Sequence, residues 1–321
     1  MEFYIDEFRK VRRNLKNIIN PTHLQKSRTF SEMANCKVFL KPECLQKNGS
    51  FKIRGAYNTL KSLSDEEKKR GVVTCSAGNW AQGVAYGSQI LGIKALVVMP
   101  KNVPNSKLQA TQSYGAKVLL HGTSSIELFQ KARALSEEKN MTYLHAFDEP
   151  NMILGHGSIG LEILDEIPDI DVIVSPVGGG ALISSIALTA RQINPRIRVI
   201  GVQPTGSAAM YESLKKGKVI ELDTVETIAE GLAVKRSGER TFHIIKEHVE
   251  EILLVTDDEI KTAVLILLER AKLLVEPSGA APLAAIVNRK IKDLTPDTKV
   301  VAVLSGGNID LSVLKQFIKS K

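Results

Sequence analysis

Short apolar runs recur along most of the chain, and longer amphipathic segments with helical spacing separate them. Each run ends in a turn of Gly, Ser or Asn. Continuous apolar strands that alternate with helices are typical of parallel sheets covered by helices on both faces. The pattern therefore predicts an α/β fold. The strands are predicted within GVVTCS, KALVVMP, AKVLLHG, MTYLHAF, DVIVSPV, IRVIGVQP and KVVAVLSGG.

The length of 321 residues is enough for about two domains. The sequence contains no linker rich in Pro, Gly or Ser, so two domains would share one compact body. No apolar run approaches the roughly 18 residues of a membrane span, and the charged N-terminus does not resemble a signal peptide. We therefore expect a cytoplasmic protein without a membrane partner.

Charge and cysteine content narrow the range of partners. The net charge is +8, but basic and acidic residues are interleaved, and aromatic residues make up 5% of the chain. These features argue against a nucleic-acid partner and favour the attraction of small anions. Cys36, Cys44 and Cys75 lack the CxxC spacing of a metal site, so we interpret them as buried or half-buried thiols.

Three loops at predicted strand ends carry candidate chemistry, because doubly wound sheets bind ligands at the carboxyl ends of their strands. Residues 74–85, TCSAGNWAQGVA, form either an anion-binding turn or a plain capped turn before a helix. Residues 175–185, SPVGGGALISS, contain three adjacent glycines, which favour close approach to a phosphate. Residues 303–312, VLSGGNIDLS, place Ser305 after a strand, which by itself indicates little.

Lys52 adds a possible nucleophile within NGSFKIRGAYN, residues 48–58. A lysine taken alone is a solvated surface charge. Together with the three loops, however, it completes a set of an amine, an anion-binding turn, a phosphate cradle and a hydroxyl. This set would suit a phosphorylated aldehyde held as a lysine imine.

The chain resembles the fold type II pyridoxal-phosphate enzymes, the group that is similar to tryptophan synthase β. Within it, the sequence is most similar to the threonine/serine dehydratases (ammonia-lyases) and serine racemases. The resemblance implies pyridoxal 5'-phosphate as cofactor and two open, twisted, mainly parallel sheets with helices on both faces. It is carried by KPECLQKNGSFKIRGA, SAGNWAQGVA, PVGGGALIS, EPSGA and SGGNID.

The resemblance also implies a domain arrangement. Residues 1–53 and 149–321 would form a large cofactor-binding domain, and residues 54–148 a small mobile domain that closes over the substrate. We expect no C-terminal regulatory domain. A homodimer or homotetramer is the implied assembly.

The family's site residues transfer to matching positions of this sequence. Lys52 would form the imine and act as the catalytic base, with Phe51 packed against the cofactor ring. A hydroxyl from Ser305 beside the ring nitrogen would leave that nitrogen largely neutral and favour elimination over transamination. Asn79 would bond the ring hydroxyl. The implied substrate-binding residues are Ser76, Ala77, Gly78 and Asn79, and the implied phosphate-binding residues are Gly178, Gly179, Gly180 and Ala181.

The implied reaction removes water from L-threonine or L-serine and gives ammonia with 2-oxobutanoate or pyruvate. In the family precedent the cofactor phosphate gives the leaving hydroxyl its proton. Rival activities on the same fold are serine racemisation, β-replacement and the deamination of another β-hydroxy amino acid such as 3-hydroxyaspartate. A non-enzymatic binder is a rival from another class, and Lys52 argues against it.

Four positions depart from the family pattern. Trp80 stands where the family commonly has His, and His156 stands where it commonly has Gln. Whether the two compensate each other in space is left open, and neither is assigned a role. Gln203 and Ala209 replace carboxylates that bind a divalent metal in some serine racemases, so we expect no metal there. In the racemases a serine occupies the Ala77 position, so Ala77 predicts elimination rather than racemisation.

Overall fold

The computed structural model describes residues 3–319, and within them ten strands form two separate sheets. The first sheet contains β1 (Gln25–Ser27), β2 (Lys37–Lys41), β7 (Val172–Pro176), β8 (Arg198–Pro204), β9 (Glu251–Val255) and β10 (Lys299–Val303). The second contains β3 (Val72–Cys75), β4 (Ala95–Met99), β5 (Lys117–Leu120) and β6 (Thr142–Tyr143).

The strand order is β1-β2-β10-β7-β8-β9 in the first sheet and β5-β4-β3-β6 in the second. Every pairing is parallel except that of β1 with β2. The central strands β7 and β10 are almost entirely buried because helices cover both of their faces. The α/β class and the seven strands expected from apolar runs are confirmed.

Fifteen α-helices surround the sheets within the described residues. They are α1 (Ile5–Leu15), α2 (Arg28–Ala34), α3 (Lys52–Ser62), α4 (Asp65–Arg70), α5 (Asn79–Leu91), α6 (Asn105–Ser113), α7 (Ser125–Glu138), α8 (Pro150–His156), α9 (Ser158–Glu166), α10 (Ala181–Ile193), α11 (Ala209–Lys216), α12 (Glu239–His248), α13 (Asp257–Ile266), α14 (Pro277–Val287) and α15 (Leu311–Lys319).

Helix ends follow local sequence signals. Ser64, Ser124 and Thr256 each cap a helix whose third residue is a glutamate that bonds back to the cap. This reciprocal arrangement satisfies two backbone donors that the helix itself cannot pair. A π-helical segment, Leu267–Ala271, follows α13 directly. Local sequence thus sets several helix boundaries without help from the core.

The four strands of the second sheet all come from residues 72–143, within the segment predicted as the small domain. The predicted boundary between residues 53 and 54 lies inside the first turn of α3, so this helix is continuous across it. The division into 1–53 with 149–321 and 54–148 stays a prediction. It places α3 at the junction of the two proposed domains.

A buried ion network fixes the first turn of α3. The guanidinium of Arg54 donates to both carboxylate oxygens of Glu43 at 2.7 and 2.8 Å. It also donates to both oxygens of Glu162, on α9, at 2.6 and 2.8 Å. Lys41, at the end of β2, donates to Glu162 at 2.6 Å. Two cations therefore balance two carboxylates, and together they attach α3 to the first sheet and to α9.

Two glycines let α3 and α8 cross in close contact. A Cβ atom on Gly155 would lie 2.4 Å from the carbonyl oxygen of Arg54 and 2.7 Å from the Cα atom of Gly55. A Cβ atom on Gly55 would lie 2.4 Å from Cε1 of His156. Neither position has room for a side chain, so the backbones of the two helices touch there.

Candidate active site

Lys52 is the first residue of α3, directly after Phe51. Its Nζ atom donates to the carbonyl oxygen of Ala146 at 3.4 Å and lies 5.1 Å from the centre of the Phe51 ring. Burial lowers the pKa of Lys52 to about 8, although the carboxylate of Glu276 opposes this effect. A Cβ atom on Gly83 would lie 3.2 Å from the Lys52 carbonyl carbon, so α5 passes close to this residue.

Backbone hydrogen bonds join segments that are far apart in sequence around Lys52. The N–H of Phe51 donates to the carbonyl oxygen of Ser305 at 3.0 Å. The N–H of Glu276 donates to the carbonyl oxygen of Gly306 at 3.0 Å. The motifs NGSFK, EPSGA and SGGN therefore meet at the carboxyl end of β10. Ser305 is 4% exposed, so its hydroxyl lies in a buried position.

Asn79, the first residue of α5, belongs to a partly buried polar network. Its Nδ2 atom donates to Oε1 of Glu276 at 2.6 Å, and its Oδ1 atom accepts from Nδ2 of Asn308 at 2.7 Å. Burial raises the pKa of Glu276 to about 7, despite the hydrogen bond from Asn79. In this structure the Asn79 amide is held by two protein groups. Its bond to a cofactor hydroxyl stays a prediction.

The triple glycine packs tightly against the protein itself. A Cβ atom on Gly179 would lie 2.1 Å from Cγ of Phe147. Gly180 has φ +100°, and a Cβ atom there would lie 2.7 Å from Thr241. These contacts alone require glycine, before any phosphate is considered. The loop also leads into α10, whose first N–H groups have no partner within the helix and therefore suit an anion.

The segment Ser76 to Gly78 forms the turn between β3 and α5. The hydroxyl oxygen of Ser76 accepts from the N–H of Gly78 at 3.2 Å. A Cβ atom on Gly78 would have no neighbour within 4 Å, so space is open beside this residue. Ala77 is half-buried between them. The turn thus presents small residues and the N-terminus of a 13-residue helix to open space, as a carboxylate site requires.

Trp80 and His156 both contact the Phe51–Lys52 segment. The Trp80 ring centre lies 5.9 Å from Nζ of Lys52, and the His156 ring centre lies 4.6 Å from that of Phe51. His156 is fully buried, and neither of its ring nitrogens has a hydrogen-bond partner. Burial, with the charges of Lys52 and Arg54, holds the pKa of His156 well below its usual value. The imidazole is therefore neutral.

The sequence interpretation missed three groups that bond Lys52 or Asn79: Glu276, Asn308 and the Ala146 carbonyl. Glu276 stands in the motif EPSGA and Asn308 in SGGNID, so the motifs were noticed but these side chains were given no role. The carbonyl of Ala146 leaves no trace in sequence, because any residue type supplies one. The three cysteines are free, with Cys36 and Cys44 buried and Cys75 half-buried, as expected.

The residues around Lys52 fit a phosphorylated aldehyde, since its half-buried amine lies close to the first turn of α5 and the preceding Phe51 bonds the buried Ser305. Residues 15 to 306 match the family described as pyridoxal-phosphate dependent enzyme. The chain belongs to this family. Pyridoxal-phosphate-dependent enzymes of fold type II are also its structural neighbours, and the cofactor and fold expected from the sequence are confirmed.

Individual members of this family are similar to the chain over most of its length. The L-threonine ammonia-lyase of Thermotoga maritima is 43% identical over 315 residues, which are 98% of this chain and 78% of that protein. The processed form of threonine deaminase isoform 2 from Solanum lycopersicum has a TM-score of 0.93 at 35% identity, covering 98% of this chain and 92% of that one. Maize serine racemase has a TM-score of 0.93 at 35% identity, covering 98% and 97%.

Membrane-spanning helices and clusters of metal-binding side chains are both absent from residues 3–319. None of the helices there is long and apolar enough to cross a membrane. The same residues contain no group of three or more His, Cys, Asp or Glu side chains that could hold a metal ion. Gln203, one of the two positions at which the sequence predicts no metal, donates to the carbonyl oxygen of Val177 at 3.2 Å and accepts from the N–H of Tyr211 at 2.9 Å.

Proposed function

We propose that this enzyme eliminates water from L-threonine and L-serine and releases ammonia with 2-oxobutanoate or pyruvate. The observation that carries the proposal is the half-buried Lys52, with an amine of lowered pKa, among the three loops at the strand ends. The names of the bacterial ammonia-lyase and the plant deaminase support the same reaction class. Water lost across Cα and Cβ returns when the C–N bond is hydrolysed, so the overall equation balances.

Lys52 is the proposed base that removes the Cα proton. With a pKa of about 8, a useful fraction of the amine is neutral near physiological pH, whereas an ordinary lysine is almost fully protonated. Bound pyridoxal phosphate supplies an aldehyde that joins amines and withdraws electrons from Cα. The protein's task is then to place one amine beside that carbon and to exclude water.

The remaining proposed roles concern binding. The N–H groups of Gly178, Gly179, Gly180 and Ala181 bind the phosphate at the N-terminus of α10. The turn from Ser76 through Ala77 and Gly78 to Asn79, at the N-terminus of α5, binds the substrate carboxylate. Phe51 packs on the cofactor ring, Asn79 bonds its hydroxyl and Ser305 approaches its nitrogen.

Serine racemase is the second candidate, favoured by the similarity to the maize enzyme. Racemisation needs an acid or base on the face of the substrate opposite Lys52. The methyl group of Ala77 cannot exchange a proton, so we propose that deamination is much faster than formation of the D-enantiomer. Chiral chromatography of a serine reaction distinguishes them. D-serine formed as fast as pyruvate would favour the racemase, and Ala77→Ser should raise racemisation relative to elimination.

The amine assignment has its own test. Borohydride reduction of the cofactor-loaded enzyme, followed by peptide mapping, should place the label on Lys52. The Lys52→Ala variant should bind the cofactor without a covalent link and lose turnover with every hydroxy amino acid, including 3-hydroxyaspartate. A label on any other lysine contradicts the assignment.

The sequence also leads us to propose a cytoplasmic homodimer or homotetramer whose partners are small amino acids rather than nucleic acids. Closure of residues 54–148 over the substrate belongs to the same proposal. The ion pair of Lys107 with Glu230 and the 3.2 Å hydrogen bond from Ser106 to Asp310 link the two proposed domains and support it. Sedimentation velocity measures the assembly, and small-angle scattering with and without substrate measures closure.

A further inference from the structure

Trp80 is the single tryptophan of the chain and lies in the first turn of α5. Its side chain is almost fully buried, with the residue 3% exposed. The ring centre is 5.9 Å from Nζ of Lys52, which is close to the limit of about 6 Å for attraction between a cation and a ring. At this distance the indole is one of the groups that surround the amine.

The indole N–H also has a defined partner. It donates to Oγ1 of Thr74 at 2.8 Å, and that hydroxyl donates to the carbonyl oxygen of Leu144 at 2.8 Å. Two residues after Leu144, the carbonyl oxygen of Ala146 accepts from Nζ of Lys52 at 3.4 Å. The indole is therefore connected, through one hydroxyl, to the loop that provides the oxygen partner of the amine.

We propose that Trp80 is a positioning residue for the Lys52 amine. Its ring shields the amine from water, and its N–H holds the loop that carries the Ala146 carbonyl. The proposal rests on the proposed function, because it assumes that Lys52 is the reacting amine. A tryptophan that only packs between helices would have neither effect.

Other titratable groups near the amine also change the pKa of Lys52, and their influence must be distinguished from that of Trp80. Glu276 favours the protonated amine and itself has a pKa raised by burial to about 7. His145 and His156 each have a pKa lowered first by burial and further by the Lys52 charge, so both are neutral in the range of interest. Repeating the measurements in a Glu276→Gln background therefore separates the titration of Lys52 from that of Glu276.

The test measures the reactivity of Lys52 in cofactor-free protein, by reductive methylation across a pH series with peptide mass spectrometry. Neutral amine reacts, so the wild type should reach half its maximal rate near pH 8. Trp80→Ala should admit water and raise this midpoint by about one unit, because desolvation is the main cause of the lowered value. Trp80→Phe keeps a ring but loses the N–H, so its midpoint should stay close to that of the wild type.

Turnover by the loaded enzyme separates the two contributions of the indole. Trp80→Phe should lower kcat by about tenfold with little change in KM, because the amine is misplaced while substrate binding is kept. Tyr86→Ala is the matched control. Tyr86 lies on the same helix but packs on Tyr114, with ring centres 5.2 Å apart, so both its labelling midpoint and its kcat should match the wild type.

A Trp80→Ala variant whose labelling midpoint and kcat equal those of the wild type would overturn the proposal. If that variant does not fold, tryptophan fluorescence of the wild type, excited where tyrosine does not absorb, decides, because Trp80 is the single tryptophan of the sequence. A transition near pH 8 that is absent in Lys52→Gln supports the proposal, and identical titrations overturn it. Turnover that survives Lys52→Ala would instead refute the proposed function. Loss of that turnover with an unchanged Trp80→Ala midpoint refutes only the role of Trp80.

Discussion

Arg54→Met tests whether the buried ion network stabilises the fold. Methionine keeps an unbranched apolar side chain but removes the guanidinium that bonds Glu43 and Glu162 at 2.6 to 2.8 Å. The wild-type network balances two cations with two carboxylates, whereas the variant leaves Lys41 alone against both. Because Arg54 and Glu43 are fully buried, water cannot replace the lost partner.

The expected cost follows from the burial of the group left behind. Leaving a buried charge without its partner costs about 3 to 5 kcal/mol, and we expect a loss of that size in the free energy of unfolding at pH 7. Lys37→Met is the matched control. Its ion pair with Asp297 has side chains 38% and 92% exposed, so its loss should cost less than about 1 kcal/mol.

The loss of unfolding free energy in Arg54→Met should also depend on pH. Burial raises the pKa of Glu162, but Arg54 and Lys41 together lower it to about 2. A lowered pKa in the folded state gives stability that is present above the unfolded value of about 4.3 and is lost as pH falls through the folded value. Without Arg54 the carboxyl takes up its proton at higher pH, so the difference between variant and wild type should shrink from pH 7 to pH 4.

Urea unfolding of cofactor-free protein at both pH values measures these differences as changes in midpoint at constant slope. An Arg54→Met cost no larger than that of Lys37→Met at pH 7 would refute the argument. A cost that grows on acidification would refute the assignment of Glu162 as a carboxylate stabilised by Arg54.

Three further predictions concern the candidate site. Glu276 has a raised pKa, so its stabilising contribution is present at low pH and is lost as pH rises through about 7. Between pH 5 and pH 8 the free energy of unfolding of Glu276→Gln, measured in urea, should therefore rise by up to about 3 kcal/mol relative to that of the wild type. Gly179→Ala should lose cofactor binding, because its Cβ atom would lie 2.1 Å from Phe147; Gly78→Ala, which meets no atom within 4 Å, should keep the wild-type melting temperature. Chelation of divalent metals should leave most turnover intact, since Gln203 replaces a carboxylate, and a large loss restored by Mg²⁺ or Ca²⁺ would contradict this.

The strands predicted from sequence include those buried on both faces, together with the more exposed β5 and β6. Residues 172–176 and 299–303 are continuous apolar runs, and both became central parallel strands. The interpretation did not identify β1, β2 or β9. Of these, β1 consists of the polar residues Gln, Lys and Ser. At the edge of the sheet this strand needs no apolar face, so its position depends on pairing with β2 rather than on its own pattern.

The candidate site likewise contains residues that could be predicted from the sequence and contacts that could not. Lys52 and the glycine loop were recognisable because their residue types stand out in short motifs. The bond from Asn79 to Glu276 spans 197 positions in the chain and forms only when two helices have packed. The reason that Gly179 must be glycine also lies elsewhere, in the ring of Phe147. Such requirements belong to tertiary contacts and leave no local signature.

The contact of α3 with α8 at Gly55 and Gly155 means that these two helices should be exchanged together when chimeric proteins are made. Ordinary contact begins near 3.4 Å, and a methyl group on Gly155 would lie 2.4 Å from the Arg54 carbonyl, so the helices would have to separate by about 1 Å. Lys52 is carried by one helix and His156 by the other. Chimeras with a divergent parent should therefore keep activity when residues 52–62 and 150–156 come from the same parent, and lose it when the crossover falls between them.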